Sequence, residues 1–158
     1  MREINTFDEL YKTSILIIED KNNSYENYSV TEIINFIRLN SEKDILNSYY
    51  VIGNIPNYVA EKIQAKNTII KFSVDSLVKN IIEHPELTIN EYKNLTKYLN
   101  NAEYILLKSN KNLIYFKIDN KIYQFVIKKT QNEFAEKLKF SLQTLGNGFE
   151  LGYVLSRT

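Results

Sequence analysis

The chain contains no cysteine, a single histidine, two prolines and four glycines. Without cysteine there is no disulfide and no thiolate metal site, and the redox compartment stays open. With one histidine a multi-histidine zinc site is excluded. Carboxylates alone can hold a hard cation, but no D-x-D or clustered acidic motif argues for such a site. The dinucleotide-binding G-x-G-x-x-G, the P-loop, G-x-S-x-G and H-E-x-x-H are all missing. Gly146-Asn147-Gly148 reads as a turn rather than a phosphate cradle. Long apolar runs are missing too. The longest, Ile15 to Ile18, is far too short to span a bilayer. The Met1-Arg2-Glu3-Ile4-Asn5 start has no apolar signal-peptide core. The expectation is a soluble protein of the cytoplasm with no membrane partner.

What is present fits a globular chain. Its 158 residues, 44% hydrophobic and 25% charged, are enough for one domain, or for one domain with an extension. The net charge is only +1, but it is unevenly spread. Residues 1–70 carry 7 basic and 10 acidic side chains (−3), and residues 71–158 carry 13 and 9 (+4). Within 104–130, Lys108, Lys111, Lys117, Lys121, Lys128 and Lys129 face only Asp119. Such a run is either solubilising lysine on exposed strands or a phosphate-binding surface.

Residues 1–48 read as an acidic, mixed N-terminal extension. Thr6–Lys12 looks like a helix start, Ser14–Ile18 like a strand and Thr31–Leu39 like a helix. A second unit, 49–158, opens at Tyr49. A short helix over Tyr58–Gln64 and a strand over Thr68–Phe72 precede a helix capped by Ser73 or Asp75. That helix stops at His84, because Pro85 disfavours helical geometry there. Thr88 and Glu91 form a capping box for a helix reaching Asn100. From Ala102 the period changes to two, giving strands at 103–107, 112–118, 121–129, 137–145 and 149–155. The fold class this order predicts is α+β, with N-terminal helices packed on a four- to five-stranded antiparallel sheet. The helices at 74–83 and 88–99 are expected to cover a face made by Ile114, Phe116, Tyr123, Phe125 and Ile127.

A two-residue loop at Asp119-Asn120 pairs Lys117 with Ile122, Tyr115 with Gln124 and Leu113 with Val126. Tyr115, Lys117, Gln124 and Lys128 then share the face opposite the apolar one, and a meander adds Ser141 and Gln143 to it. These residue types suit a phosphodiester, with lysines for charge and tyrosine for stacking. They also suit an ordinary solvated sheet face. His84 either caps the helix end or serves as a general acid or base near neutral pH.

Three spaced groups carry a resemblance. They are Tyr50-Val51-Ile52-Gly53-x-Ile55-Pro56; Phe72-Ser73-x-Asp75-x-Leu77-x-Lys79-x-Ile81; and His84-Pro85-Glu86-Leu87-Thr88-x-x-x-Tyr92. Ala102-Glu103-x-Ile105, Leu113-Ile114-Tyr115-Phe116, Tyr123-x-x-Val126-Ile127-Lys128-x-Thr130 and Leu138-x-Phe140-Ser141 follow in order. Over roughly residues 50–145 the chain resembles a phage-associated nuclease family of the barnase/EndoU/colicin/RelE-like superfamily of small RNases and toxins. The resemblance implies an RNase-toxin-like sheet that carries the site. It also implies metal-independent RNA cleavage through the 2′-hydroxyl, no cofactor, and a setting such as a prophage-borne toxin with an antitoxin or immunity partner. His84, Lys128 and Ser141 are the catalytic residues it implies, and Tyr115, Lys117, Gln124 and Gln143 are expected to bind RNA around them. The alternative is a catalytically inactive RNA- or protein-binding module of the same fold.

Overall fold

The structure is a computed structural model. It describes residues 2–20, 27–54, 56–62, 68–94, 97, 104–108, 111–118, 121–129 and 138–145, and side-chain environments as far as Lys97. Its elements run α1 (Phe7–Asp20), α2 (Val30–Asn40), α3 (Lys43–Asn47), β1 (Tyr49–Asn54), α4 (Asn57–Lys62), β2 (Ile69–Ser73), α5 (Val74–Glu83), α6 (Ile89–Lys93), β3 (Tyr104–Lys108), β4 (Lys111–Ile118), β5 (Lys121–Lys129) and β6 (Leu138–Leu145). The chain packs as two compact units, 1–51 with 72–86, and 52–71 with 87–158.

In the first unit α1, α2 and α5 start where short polar side chains satisfy one of their first orphan N–H groups. The Thr6 hydroxyl accepts from the Glu9 N–H at 3.1 Å, the Ser29 hydroxyl from the Glu32 N–H at 3.2 Å, and the Ser73 hydroxyl from the Ser76 N–H at 3.1 Å. Helices α1, α2 and α3 all pack against α5. Ile4, Leu10, Ile34, Ile37, Leu46, Phe72, Val74, Leu77 and Val78 make the core, and Leu10, Ile37, Phe72, Val74 and Leu77 are fully buried. The N-terminal segment is tied in by a parallel bridge between Glu3 and Tyr49. There the Tyr49 N–H donates to the Arg2 carbonyl at 3.0 Å and the Ile4 N–H donates to the Tyr49 carbonyl at 2.6 Å. A bidentate pair links α2 to α5. Arg38 Nε donates to Asp75 Oδ1 at 2.9 Å and Nη2 to Oδ2 at 3.0 Å. The hydrogen bond to Asp75 is the main cause that holds the Arg38 pKa above its ordinary value.

The segment 14–18 is a correction. It lies inside α1, not in a strand. The Ile/Leu run invites a strand reading, but Leu10 and Ser14, one helical turn apart, are buried, while Leu16 is 49% exposed. The Ser14 hydroxyl donates to the Leu10 carbonyl at 2.9 Å, so a polar residue occupies the buried stripe without an orphaned group.

In the second unit, Ile52, Ile70, Leu87 and Tyr92 are buried. The capping box forms as expected. The Glu91 N–H donates to the Thr88 hydroxyl at 3.3 Å, and the Thr88 N–H donates to Glu91 Oε1 at 3.0 Å. The continuation of that helix towards Asn100, including Leu95 and Leu99, lies outside the described residues, as do the Asp119-Asn120 turn and the strand expected at 149–155.

The expected fold class is corrected. Strands form two sheets: β1 pairs with β2 in a two-stranded sheet, and β3-β4-β5-β6 form a separate antiparallel meander. The described helices of the first unit bury their apolar stripes on one another, around α5. The chain is an α+β mix whose strands divide between a two-stranded sheet and a separate meander, and not N-terminal helices laid on one four- to five-stranded sheet. The physical reason is that α5 carries its apolar stripe (Val74, Leu77, Val78) to the helices that precede β1. Sequence order alone does not disclose that partner.

These contacts rank by burial. Phe72→Ala should cost about 3–5 kcal/mol, Thr88→Ala about 1 kcal/mol, and Arg38→Ala no more than about 1 kcal/mol because the pair is solvent-screened. Urea denaturation of the three variants checks the order, and a loss for Arg38→Ala as large as that for Phe72→Ala contradicts it.

Candidate functional site

The β3–β6 ladder fixes which residues share a face, because directly opposed residues and alternate residues along a strand lie on the same side. Tyr115 pairs with Gln124, Lys117 with Ile122 and Leu113 with Val126, the register that a two-residue loop predicts. Gln124 pairs onward with Gln143, Val126 with Ser141 and Lys128 with Lys139. Lys128, Ser141, Tyr115, Lys117, Gln124 and Gln143 are therefore on one face of one sheet. The opposite face carries Ile105, Ile114, Phe116, Phe125, Ile127, Phe140 and Leu142. Side-chain contacts of all these residues lie outside the described part.

The same register adds residues that the sequence reading left out of the site. Lys108 pairs with Lys111 and Lys111 with Lys128, so Lys108, Lys111, Lys128 and Lys139 form a row with one lysine from every strand. Tyr104 pairs with Tyr115, which extends the Tyr115-Gln124-Gln143 row to β3. A signal was available: Lys108 and Lys111 flank a two-residue gap, the spacing that places hairpin residues opposite each other. No Asp or Glu is among the paired residues of this face.

His84 belongs to the first unit and Lys128 to the second. His84 is the C-cap of α5, with φ −129° and ψ 65°. Its backbone N–H donates to the Asn80 carbonyl at 2.9 Å, closing the last turn. The imidazole Nδ1 lies 3.4 Å from Glu86 Oε1, an ion-pair spacing rather than a tight hydrogen bond. The ring is half-buried (19% exposed), whereas Glu86 is 49% exposed. Glu86 is the partner that the sequence reading missed, although Pro85 between the two residues makes a tight turn the natural geometry. A carboxylate facing Nδ1 favours the tautomer with its proton there and leaves Nε2 as the basic nitrogen.

A cleft of about 490 Å³ in the first unit is lined by Arg2, Ile4, Thr13, Asp44, Ile45 and Ser48. It contains none of the expected site residues. Among the described residues, no group of three or more His, Asp or Glu side chains could hold a metal ion. Nor is any described helix long and apolar enough to cross a membrane.

Compared with known proteins, the chain matches no family model, no curated protein and no solved structure.

The absence of cysteine makes the register directly testable. The double variant Val126→Cys/Ser141→Cys should cross-link under mild oxidation, since opposed residues in a ladder meet the distance a disulfide needs. Val126→Cys/Leu142→Cys should not, because a one-residue offset moves the partner to the other face. The reverse result on a non-reducing gel means the β5–β6 register is shifted by one.

Proposed function

We propose that this chain is a metal-independent endoribonuclease that cleaves RNA through attack of the 2′-hydroxyl on the adjacent phosphate. The observation that carries the reading is the register that gathers Lys128, Ser141, Tyr115, Lys117, Gln124 and Gln143 on one acid-free sheet face. The resemblance of the HPEL, VIK and FS segments to a phage-associated nuclease family supports the same reading, with a prophage-borne toxin as the setting, the cytoplasm as the place of action, and an antitoxin or immunity protein as partner.

In the reaction, the O2′–P bond forms as the P–O5′ bond breaks. The 2′-hydroxyl gives its proton to a base and the departing 5′-oxygen takes one up. His84 is the residue for that proton traffic, because an imidazole nitrogen can both accept and give up a proton, and Glu86 beside Nδ1 leaves Nε2 free to face the substrate. Lys128 balances the charge that builds on the phosphoryl oxygens, and the Ser141 hydroxyl orients the phosphate. The chemistry calls on no thiolate or multi-histidine ligand set, which a chain with no cysteine and one histidine does not have.

The capping geometry of His84 favours a second reading. A histidine that closes α5 and pairs with Glu86 has a structural role already, which fits a non-catalytic RNA-binding module.

Cleavage of an unmodified RNA should persist in excess EDTA and leave 2′,3′-cyclic phosphate ends. His84→Ala and Lys128→Ala should each slow it by about 10²-fold or more with the circular dichroism spectrum unchanged. Loss of activity in EDTA and recovery with Mg²⁺ overturns the mechanism. Binding with no cleavage selects the second reading.

A further inference from the structure

We propose that the acid-free face of the β3–β6 sheet is a track for single-stranded RNA. Its phosphate backbone crosses the strands along the row Lys108, Lys111, Lys128 and Lys139, and its bases lie over the parallel row Tyr104, Tyr115, Gln124 and Gln143. The track depends on the nuclease reading only for the choice of RNA as the polyanion.

The placement follows from the ladder. Lys108 opposes Lys111, Lys111 opposes Lys128, and Lys128 opposes Lys139. Adjacent strands are about 4.8 Å apart, so the row crosses the sheet over roughly 14 Å. Like charges directly opposed on one sheet face destabilise it. This face offers no Asp or Glu in its paired positions to offset them. A bound polyanion removes the penalty at every position at once and releases counterions as it does so.

The choice of a single strand comes from the second row. Tyr104, Tyr115, Gln124 and Gln143 pair in sequence across all four strands. They sit four residues from the lysine row along each strand, about 13 Å at the usual rise. Tyrosines offer stacking platforms and glutamines offer amide donors and acceptors for base edges. Both uses need bases that are unstacked and accessible, which a duplex does not present. Between the two rows lie Leu106, Leu113, Val126 and Ser141, a low and mostly apolar row with one hydroxyl. The opposite face is apolar along most of its length, a composition suited to burial and not to a polyanion. That leaves the lysine face for a ligand.

The test uses the full chain and a fluorescent single-stranded oligoribonucleotide with 2′-O-methyl groups throughout, so that cleavage through the 2′-hydroxyl cannot occur. Anisotropy titrations over a range of salt concentrations compare the wild type with Lys111→Gln/Lys139→Gln. The double variant should bind about 10-fold more weakly at low salt, and its log–log salt slope should fall by about 1.4, two phosphate contacts' worth for a single strand. Tyr104→Ala should weaken binding by about 10-fold with the salt slope unchanged. The control Lys121→Gln/Lys129→Gln removes the same charge from the other face and should stay within about 2-fold of wild type. Equal weakening by the control, or wild-type affinity in Lys111→Gln/Lys139→Gln, overturns the track. So does duplex RNA binding as tightly as the single strand.

Photocrosslinking of wild-type protein to a thiouridine-containing probe removes any dependence on variant folding. Adducts should map to the peptides that carry Tyr104 and Tyr115, and adducts confined to residues 1–86 overturn the placement. If the methylated probe binds with this pattern but unmodified RNA is not cut, the nuclease reading fails and the track stands.

Discussion

Burial at the corner where β2 turns into α5 is the constraint on which the first unit rests. Phe72, Val74 and Leu77 are each fully buried within six residues, and Val78 is nearly so. The turn is sharp because Ser73 does two jobs: it ends the strand, and its hydroxyl receives the Ser76 N–H as the helix begins. The next N–H, of Val74, lacks an intrahelical acceptor and donates instead to the Ser48 carbonyl at 2.9 Å, which ties the corner to the chain entering β1. Three helices from the first fifty residues use α5 as their common partner. The Arg38–Asp75 clamp adds orientation more than energy, since both groups keep much of their hydration.

The four-stranded sheet obeys a different logic. Its period of two separates a mainly apolar side from one bearing lysine, tyrosine and glutamine rows, with the mostly apolar row Leu106, Leu113, Val126 and Ser141 between them. A solubilising surface needs only scattered charge. Here four lysines align in one row across the four strands with no counter-charge in the paired positions of that face. His84 brings a different kind of group, a titratable ring held at a helix end by its own backbone bond and by Glu86.

How much of this was legible depended on how local the determinant was. The capping box at Thr88 and the register of β4 on β5 were readable because three- and two-residue spacings decide them. Six of the expected site residues share a face for the same reason. The strand reading of 14–18 failed because Ile and Leu in a short run fit either period, and the deciding fact, Ser14 bonded to the Leu10 carbonyl, is a property of the helix once formed. The helix-on-sheet arrangement failed because the partner of an amphipathic stripe is not written in the stripe. The end of α5 at His84 was legible for a local reason too, since Pro85 disfavours helical geometry at the residue before it. Glu86 escaped notice because, two residues beyond the ring and past a proline, it looked like an ordinary surface acid.

The discontinuity of the first unit bears on how the chain emerges from the ribosome. Its helices α1, α2 and α3 are complete by Asn47, yet the helix they pack on ends at Glu83. Until that later stretch has been synthesised, Leu10 and Ile37 have no α5 to cover them, and the nascent chain carries its apolar stripes through the production of β1, α4 and β2. Closing such a long loop makes docking of α5 a late event in the unit's assembly. A chain cut short between Asn54 and Ile69 would hold α1, α2 and α3 with their common partner missing.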